Sequence, residues 1–90
     1  MTHVYELDGN QMQTAHEAHI YLKQALELPD YYGMNADALF DCLTETGRET
    51  LLFLNDAEKV FPKILKVFEE AQEENPFLTI IESENNTETA

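Results

Sequence analysis

Two carboxylates one helical turn apart, Asp37 and Asp41, are the residues of this chain best placed to do chemistry. They lie in the run Tyr31-Tyr32-Gly33-Met34-Asn35-Ala36-Asp37-Ala38-Leu39-Phe40-Asp41-Cys42-Leu43-Thr44. With Leu39 at the centre of an apolar side and an advance of about 100° per residue, Ala36, Cys42 and Leu43 fall beside it. Asp37 and Asp41 fall nearly opposite, about 40° from each other, with Phe40 on the flank and Thr44 nearby. Asp37 lies in the first helical turn, where the helix dipole favours an anion. Asp41 has no such local reason, and a like charge one turn away costs a few tenths of a kcal/mol. The pair could meet cations on a partner, act as a general acid and base, or form an ordinary solvated face. Acid–base work needs a pocket that separates two carboxyl pKa values, which the exposed side of one helix does not supply.

Other catalytic or metal-binding constellations are not expected. His16-Glu17-Ala18-His19 spaces its histidines at i and i+3, whereas a zinc-protease helix needs i and i+4 with Glu following the first His. His16 is expected in solvent and His19 at the border of the core. No Ser/His/Asp arrangement, EF-hand loop or glycine-rich phosphate loop can be assembled, and three scattered glycines are too few for the last. Cys42 is the single cysteine, so no intramolecular disulfide is possible, and it is expected on the inner face as a small core residue. Catalytic residues, cofactors and metals are therefore all expected to be absent.

Composition narrows the partner. Eighteen acidic residues against five basic ones give a net charge of −13 over 90 residues. Such a chain repels phosphate backbones and anionic lipid, which excludes direct nucleic-acid and membrane binding and leaves basic proteins or cations. No basic-then-apolar leader and no apolar run of membrane-spanning length is present, so a cytoplasmic protein is expected. Aromatic Tyr31, Tyr32 and Phe40 beside the acids add rigid area of the kind enriched at interface hot spots. Glu69, Glu70, Glu73 and Glu74 crowd the end of a later helix against both its dipole and each other, at about 0.3–1 kcal/mol per violation.

The elements that must position these residues are legible. Val4-Tyr5-Glu6-Leu7 alternates as a strand and Asp8-Gly9 turns it. Thr14 and Glu17 have capping-box spacing for a helix to about Glu27, with Ala15, Ala18, Leu22, Ala25 and Leu26 inward. Leu28-Pro29 leaves that helix, Gly33 is expected to free the next turn, and Asn35 to cap the acidic helix. Leu51-Leu52-Phe53-Leu54 suggests a strand covered on both faces, with Asn55 and Asp56 free to cap the next element. Pro62 suits the first turn of a helix from Phe61 or Pro62 to about Glu74, whose core side is Val60, Phe61, Ile64, Leu65, Phe68 and Ala71. Asn75-Pro76 ends it, and Phe77-Leu78-Thr79-Ile80-Ile81 is expected to be a buried strand. The order strand, helix, helix, strand, helix, strand predicts an α/β fold with a small three-stranded parallel sheet and helices packed on it. One domain is expected over residues 1–82, followed by an acidic flexible tail over 83–90.

The segment from Leu28 to Thr44 closely resembles barstar, the intracellular inhibitor family of barnase-type secreted ribonucleases. Leu7-Asp8-Gly9-Asn10-Gln11, Val67-Phe68-Glu69-Glu70-Ala71 and Thr79-Ile80-Ile81 add to the resemblance, which covers most of residues 4–82. It implies a non-enzymatic, cytoplasmic protein, monomeric, that plugs the active site of a basic ribonuclease with the acidic helix and the loop before it. It further implies that Asp41 mimics a phosphate before the enzyme's catalytic basic groups and that Asp37 pairs with a neighbouring Arg or Lys. Tyr31 would pack on the substrate-binding rim, Asn35 and Thr44 would lie at the contact edge, and Glu70 would form a peripheral ion pair. Phe40 stands where the best-known member has tryptophan, and Glu45-Thr46-Gly47-Arg48-Glu49 replaces an aromatic-bearing loop. Residues 45–62 are also shorter, leaving little room for an additional short helix. A related module against a different basic toxin is the alternative reading.

Overall fold

The computed structural model describes residues 2–83. Strand β1 (His3–Asp8) leads through a 3₁₀ turn (Gly9–Gln11) to helix α1 (Ala15–Ala25) and then helix α2 (Ala36–Thr44). Strand β2 (Thr50–Asn55), a second 3₁₀ turn (Ala57–Lys59), helix α3 (Pro62–Glu74) and strand β3 (Leu78–Ser83) complete the chain. The strands form one parallel sheet in the order β1-β2-β3, in register from Val4–Leu51–Thr79 through Glu6–Phe53–Ile81 to Asp8–Asn55–Ser83. The three-stranded parallel α/β architecture agrees with the order of elements expected from sequence. Ser83 ends β3 and so belongs to the sheet rather than to the expected tail, and residues 84–90 lie outside the described residues.

The core sits on one side of this sheet. Leu7, Leu52, Leu54 and Leu78 are buried against Leu22 of α1, Leu39 and Leu43 of α2, and Ile64, Phe68 and Ala71 of α3. The opposite side is open: Val4 is 55% and Ile81 44% exposed, with Leu51 and Phe53 half-buried between them. This corrects two expectations, that β2 is covered on both faces and that β3 is a buried strand. The cause is topological. Strand order advances in one direction, so two crossovers of the same hand lay every helix on the same face. An apolar run in β2 therefore reports a central strand whose outer side chains, Leu51 and Phe53, are only half-buried.

Local chemistry sets the element ends. The Thr14 hydroxyl accepts from the Glu17 N–H at 3.1 Å, half of the expected capping box. Helix α1 stops at Ala25, two residues early, because Glu27 turns left-handed (φ 55°) and the Leu28 N–H reaches back to the Lys23 carbonyl. Gly9 is required by space: a Cβ there would stand 2.1 Å from the Asp56 carbonyl oxygen. Asp56 does not cap the following turn as expected; it is left-handed, and its carboxylate accepts from Asn10 Nδ2 at 2.8 Å. Pro62 opens α3 as its residue type predicts. Both open sheet edges carry a side-chain acceptor, the Tyr21 hydroxyl on the Asp8 N–H and Gln72 Oε1 on the Ile80 N–H.

Asn75 is more than a helix terminator. Buried at the junction of α3 and β3, its Nδ2 donates to the Leu43 carbonyl at 2.9 Å and to the Thr46 carbonyl at 3.1 Å. Its Oδ1 accepts from the Phe77 N–H at 3.0 Å. One amide thus satisfies carbonyls left open at the end of α2 and fixes that end against the last strand. Replacing it by alanine strands buried backbone groups, and the variant Asn75→Ala is expected to lose about 2–3 kcal/mol of stability in urea titrations. A loss under roughly 0.5 kcal/mol would remove this amide as the anchor of α2.

Candidate functional site

Helix α2 projects from the core with its acids outward. Leu39 and Leu43 are buried, while Asp37 and Asp41 are exposed, as the helical spacing requires. Among the described residues, no hydrogen bond or ion pair engages either carboxylate. Glu45, the residue closing the helix, continues the stripe at the same four-residue interval. Sequence alone assigns Glu45 only to the following loop, although its spacing from Asp41 is the available signal.

The start of α2 is built by its cap. Asn35 Oδ1 accepts from the Ala38 N–H at 2.8 Å and its Nδ2 donates to the Gly33 carbonyl at 3.1 Å. Its side chain is therefore committed to the helix. The left-handed residue of this turn is Met34 (φ 57°), and no glycine has positive φ, so Gly33 does not supply the freedom expected of it. What glycine provides is room: a Cβ at 33 would come 3.1 Å from Asn35 Nδ2.

A second bolt lies earlier in the same loop. Tyr32 is buried, and its hydroxyl is 2.6 Å from Nδ1 of buried His19 on α1. The rings are tilted by 55° with centroids 5.9 Å apart. Burial pushes the Tyr32 pKa up to about 12, helped by nearby Cys42, so the hydroxyl keeps its proton. Burial lowers the His19 pKa, holding the imidazole neutral. Sequence places His19 at the core border but does not reveal its partner thirteen residues on, because no local pattern links them.

Two grooves flank α2. One, about 340 Å³, is lined by Pro29, Tyr31, Tyr32, Asp41, Cys42 and Glu45. Tyr31 is 87% exposed at its rim. Cys42 is half-buried on this groove's wall rather than in the core proper. Burial, then the neighbouring Glu45 and Asp41, raise its pKa, which disfavours a reactive thiolate. The other groove, about 380 Å³, lies between α2 and α3 and holds Asp37, Phe40 and Glu70 together with Lys63 and Lys66. The residues expected at a contact thus divide. Tyr31 and Asp41 share the first groove, and Asp37, Phe40 and Glu70 the second, while Asn35 caps the helix. Thr44 is half-buried with its hydroxyl donating to the Phe40 carbonyl at 2.8 Å, so that oxygen can meet a partner only as an acceptor.

The two lysines are absent from the set expected on sequence. Their spacing with Glu70, at i, i+3 and i+7, is the signal for one shared helical stripe. Among the described residues, no three His, Cys, Asp or Glu side chains converge to hold a metal ion, and no helix is long and apolar enough to cross a membrane.

The model of the barstar family, described as barnase inhibitor, matches residues 2–87. The chain belongs to the barstar family. It is 38% identical over 86 residues to the "Putative ribonuclease inhibitor YrdF" of Bacillus subtilis strain 168, covering 84% of this chain and 94% of that protein. Membership makes it a ribonuclease inhibitor rather than an enzyme, in an intracellular family whose partners are barnase-like ribonucleases. Where a further short helix has little room in this barstar-family chain, residues 57–59 form a single 3₁₀ turn.

The His19–Tyr32 bolt gives a pH prediction. The folded pKa of His19 lies below the ordinary 6.5, so the unfolded chain binds the proton first as pH falls. Stability from the neutral imidazole is complete above about pH 6.5 and declines below it until the folded pKa is reached. Urea unfolding at pH 7.5, 6.5 and 5.5 should therefore show wild type losing stability relative to His19→Gln, which keeps a polar partner but does not titrate. Parallel profiles for the two proteins would exclude His19 as the titrating group.

Proposed function

We propose that this chain inhibits a basic, barnase-like ribonuclease by seating α2 and the loop before it in the enzyme's active site. The observation that carries the reading is the pair of exposed carboxylates, Asp37 and Asp41, without a partner among the described residues, on a helix whose ends are both anchored. A ribonuclease must gather positive charge where it holds phosphates. An acidic face complements that charge and steers the encounter.

In this reading Asp41 takes the place of a phosphate before the catalytic basic groups, and Asp37 pairs with an adjacent Arg or Lys. Tyr31 lies flat on the substrate rim, Phe40 supplies apolar area beside the acids, and Glu70 adds an outer ion pair. Asn35 and Thr44 border the contact, chiefly by holding the helix in shape. The inhibitor acts as a monomer in the cytoplasm. Catalysis stops because substrate is excluded, with no chemistry required of the inhibitor. Taking the acids out of water costs desolvation, which bidentate guanidinium partners offset. Anchoring α2 beforehand avoids the further cost of ordering it on binding.

The test is RNA cleavage by barnase-like ribonucleases with and without the purified chain. Asp41→Ala should weaken inhibition by about 2–5 kcal/mol, because it leaves enzyme cations buried and unpaired. The association rate should fall steeply as salt rises. An effect of Asp41→Ala under roughly 1 kcal/mol would exclude it as the anchor. Recovery of a basic toxin without nuclease activity as the bound partner would favour an immunity module against that toxin instead.

A further inference from the structure

The acidic face contains two cations that a uniformly basic partner would repel. Lys59, Lys63 and Lys66 are three of the five basic residues of the chain, gathered within one short segment. Lys63 and Lys66 line the groove between α2 and α3, on the wall facing Asp37 and Phe40, with Glu70 beyond them. Both lysines are exposed, and among the described residues neither forms an ion pair with Asp37, Glu70 or any other acid. Charge therefore changes sign inside the groove while remaining available to a partner. Half-buried Phe40 and buried Val67 share its lining, a weakly polarisable wall against which charge contacts are strengthened. Lys63 also borders an adjoining groove of about 240 Å³ with Met34, Asn35 and Ala36, so this one lysine reaches the start of α2. The groove on the other side of α2, beside Asp41 and Glu45, has no basic residue in its lining among the described residues.

We propose that the α2–α3 groove is the specificity-determining half of the binding face. Its occupant is a segment of the ribonuclease with an acidic side chain seated between Lys63 and Lys66 and a basic one directed at Asp37 and Glu70. This rests on the reading of α2 as the face that meets a basic ribonuclease. The Asp41 side then supplies attraction common to any such enzyme, because every basic active site offers it cations. The Lys63–Lys66 side discriminates. An enzyme presenting Lys or Arg there meets like charge across a partly desolvated contact, which costs far more than the same clash in water. An enzyme presenting a carboxylate converts that penalty into a pairing. Rejection of wrong partners by a placed repulsion is how closely related interfaces are kept apart.

The experiment uses catalytically inactivated barnase displayed on yeast, with each surface position around its active-site mouth sampled as Asp, Ser or Lys. The library is sorted against the wild-type chain, Lys63→Glu/Lys66→Glu and Asp41→Ala, with Lys63→Gln and Lys66→Gln as milder single changes. The wild type should retain Asp over Lys by about tenfold at one or more positions. The Glu double variant should invert that preference at the same positions, the Gln variants should flatten it, and Asp41→Ala should lose retention across the library. If wild type and the Glu double variant enrich the same sequences, the groove does not read charge, and the inhibitor reading stands without it. If the wild type retains no member of the library, the ribonuclease reading itself fails and takes this inference with it.

Discussion

The amide of Asn75 is the interaction on which the acidic face depends. It lies at the end of α3, yet its bonds run to the last turn of α2 and the loop beyond it. Helix α2 is only nine residues long, too short to persist in water on its own propensity. Its order comes from packing against α3 and from anchors at its two ends. Asn75 holds the carboxyl end, while the Asn35 cap and the His19–Tyr32 bond hold the entry loop. Between these anchors the helix can present Asp41 and Glu45, acids that do nothing for its own stability, beside Asp37 in the first turn, which its dipole favours. Like charges one turn apart cost it a little, and the anchors make that cost tolerable.

The same logic explains which parts of the molecule are readable from sequence. Helix α3 starts at Pro62 and ends at Glu74, and α2 starts after Asn35, because proline and a side-chain cap act locally and leave local marks. The acidic stripe is legible for the same reason: it follows from helical spacing alone. The buried polar contacts are not, since His19 and Tyr32, or Asn75 and Leu43, are brought together only by the tertiary fold. Exposure of the outer sheet face escapes the sequence because an apolar central strand looks alike whether one or both sides are covered. Direction of winding, rather than composition, decides between those cases. Residue type assigns the left-handed turn before α2 to Gly33, whereas the backbone gives it to Met34 and leaves Gly33 to make room for the cap.

Charge is distributed unevenly for a chain of net −13. Acids dominate the exposed side of α2 and the far end of α3, whereas lysines gather at the start of α3. That arrangement places the cations near the amino-terminal end of a helix dipole, where they gain nothing, and the acids near its carboxyl end, where they lose something. A fold shaped for stability alone would invert both choices. Of the residues that break these rules, Asp41, Lys63, Lys66 and Glu70 line the two grooves of α2, while Glu69, Glu73 and Glu74 lie outside them.

The clamp at Asn75 also has a consequence for how the protein is born. As the chain leaves the ribosome, β1, α1 and the whole acidic helix emerge well before residue 75. The sheet cannot be finished until β3 arrives to pair with β2, and the carboxyl end of α2 has no anchor until then. A nascent chain thus exposes its acids early but holds them in fixed geometry late, once the last strand is in hand. Translation stalled ahead of Asn75 would yield a chain with the right residues and no rigid surface to display them.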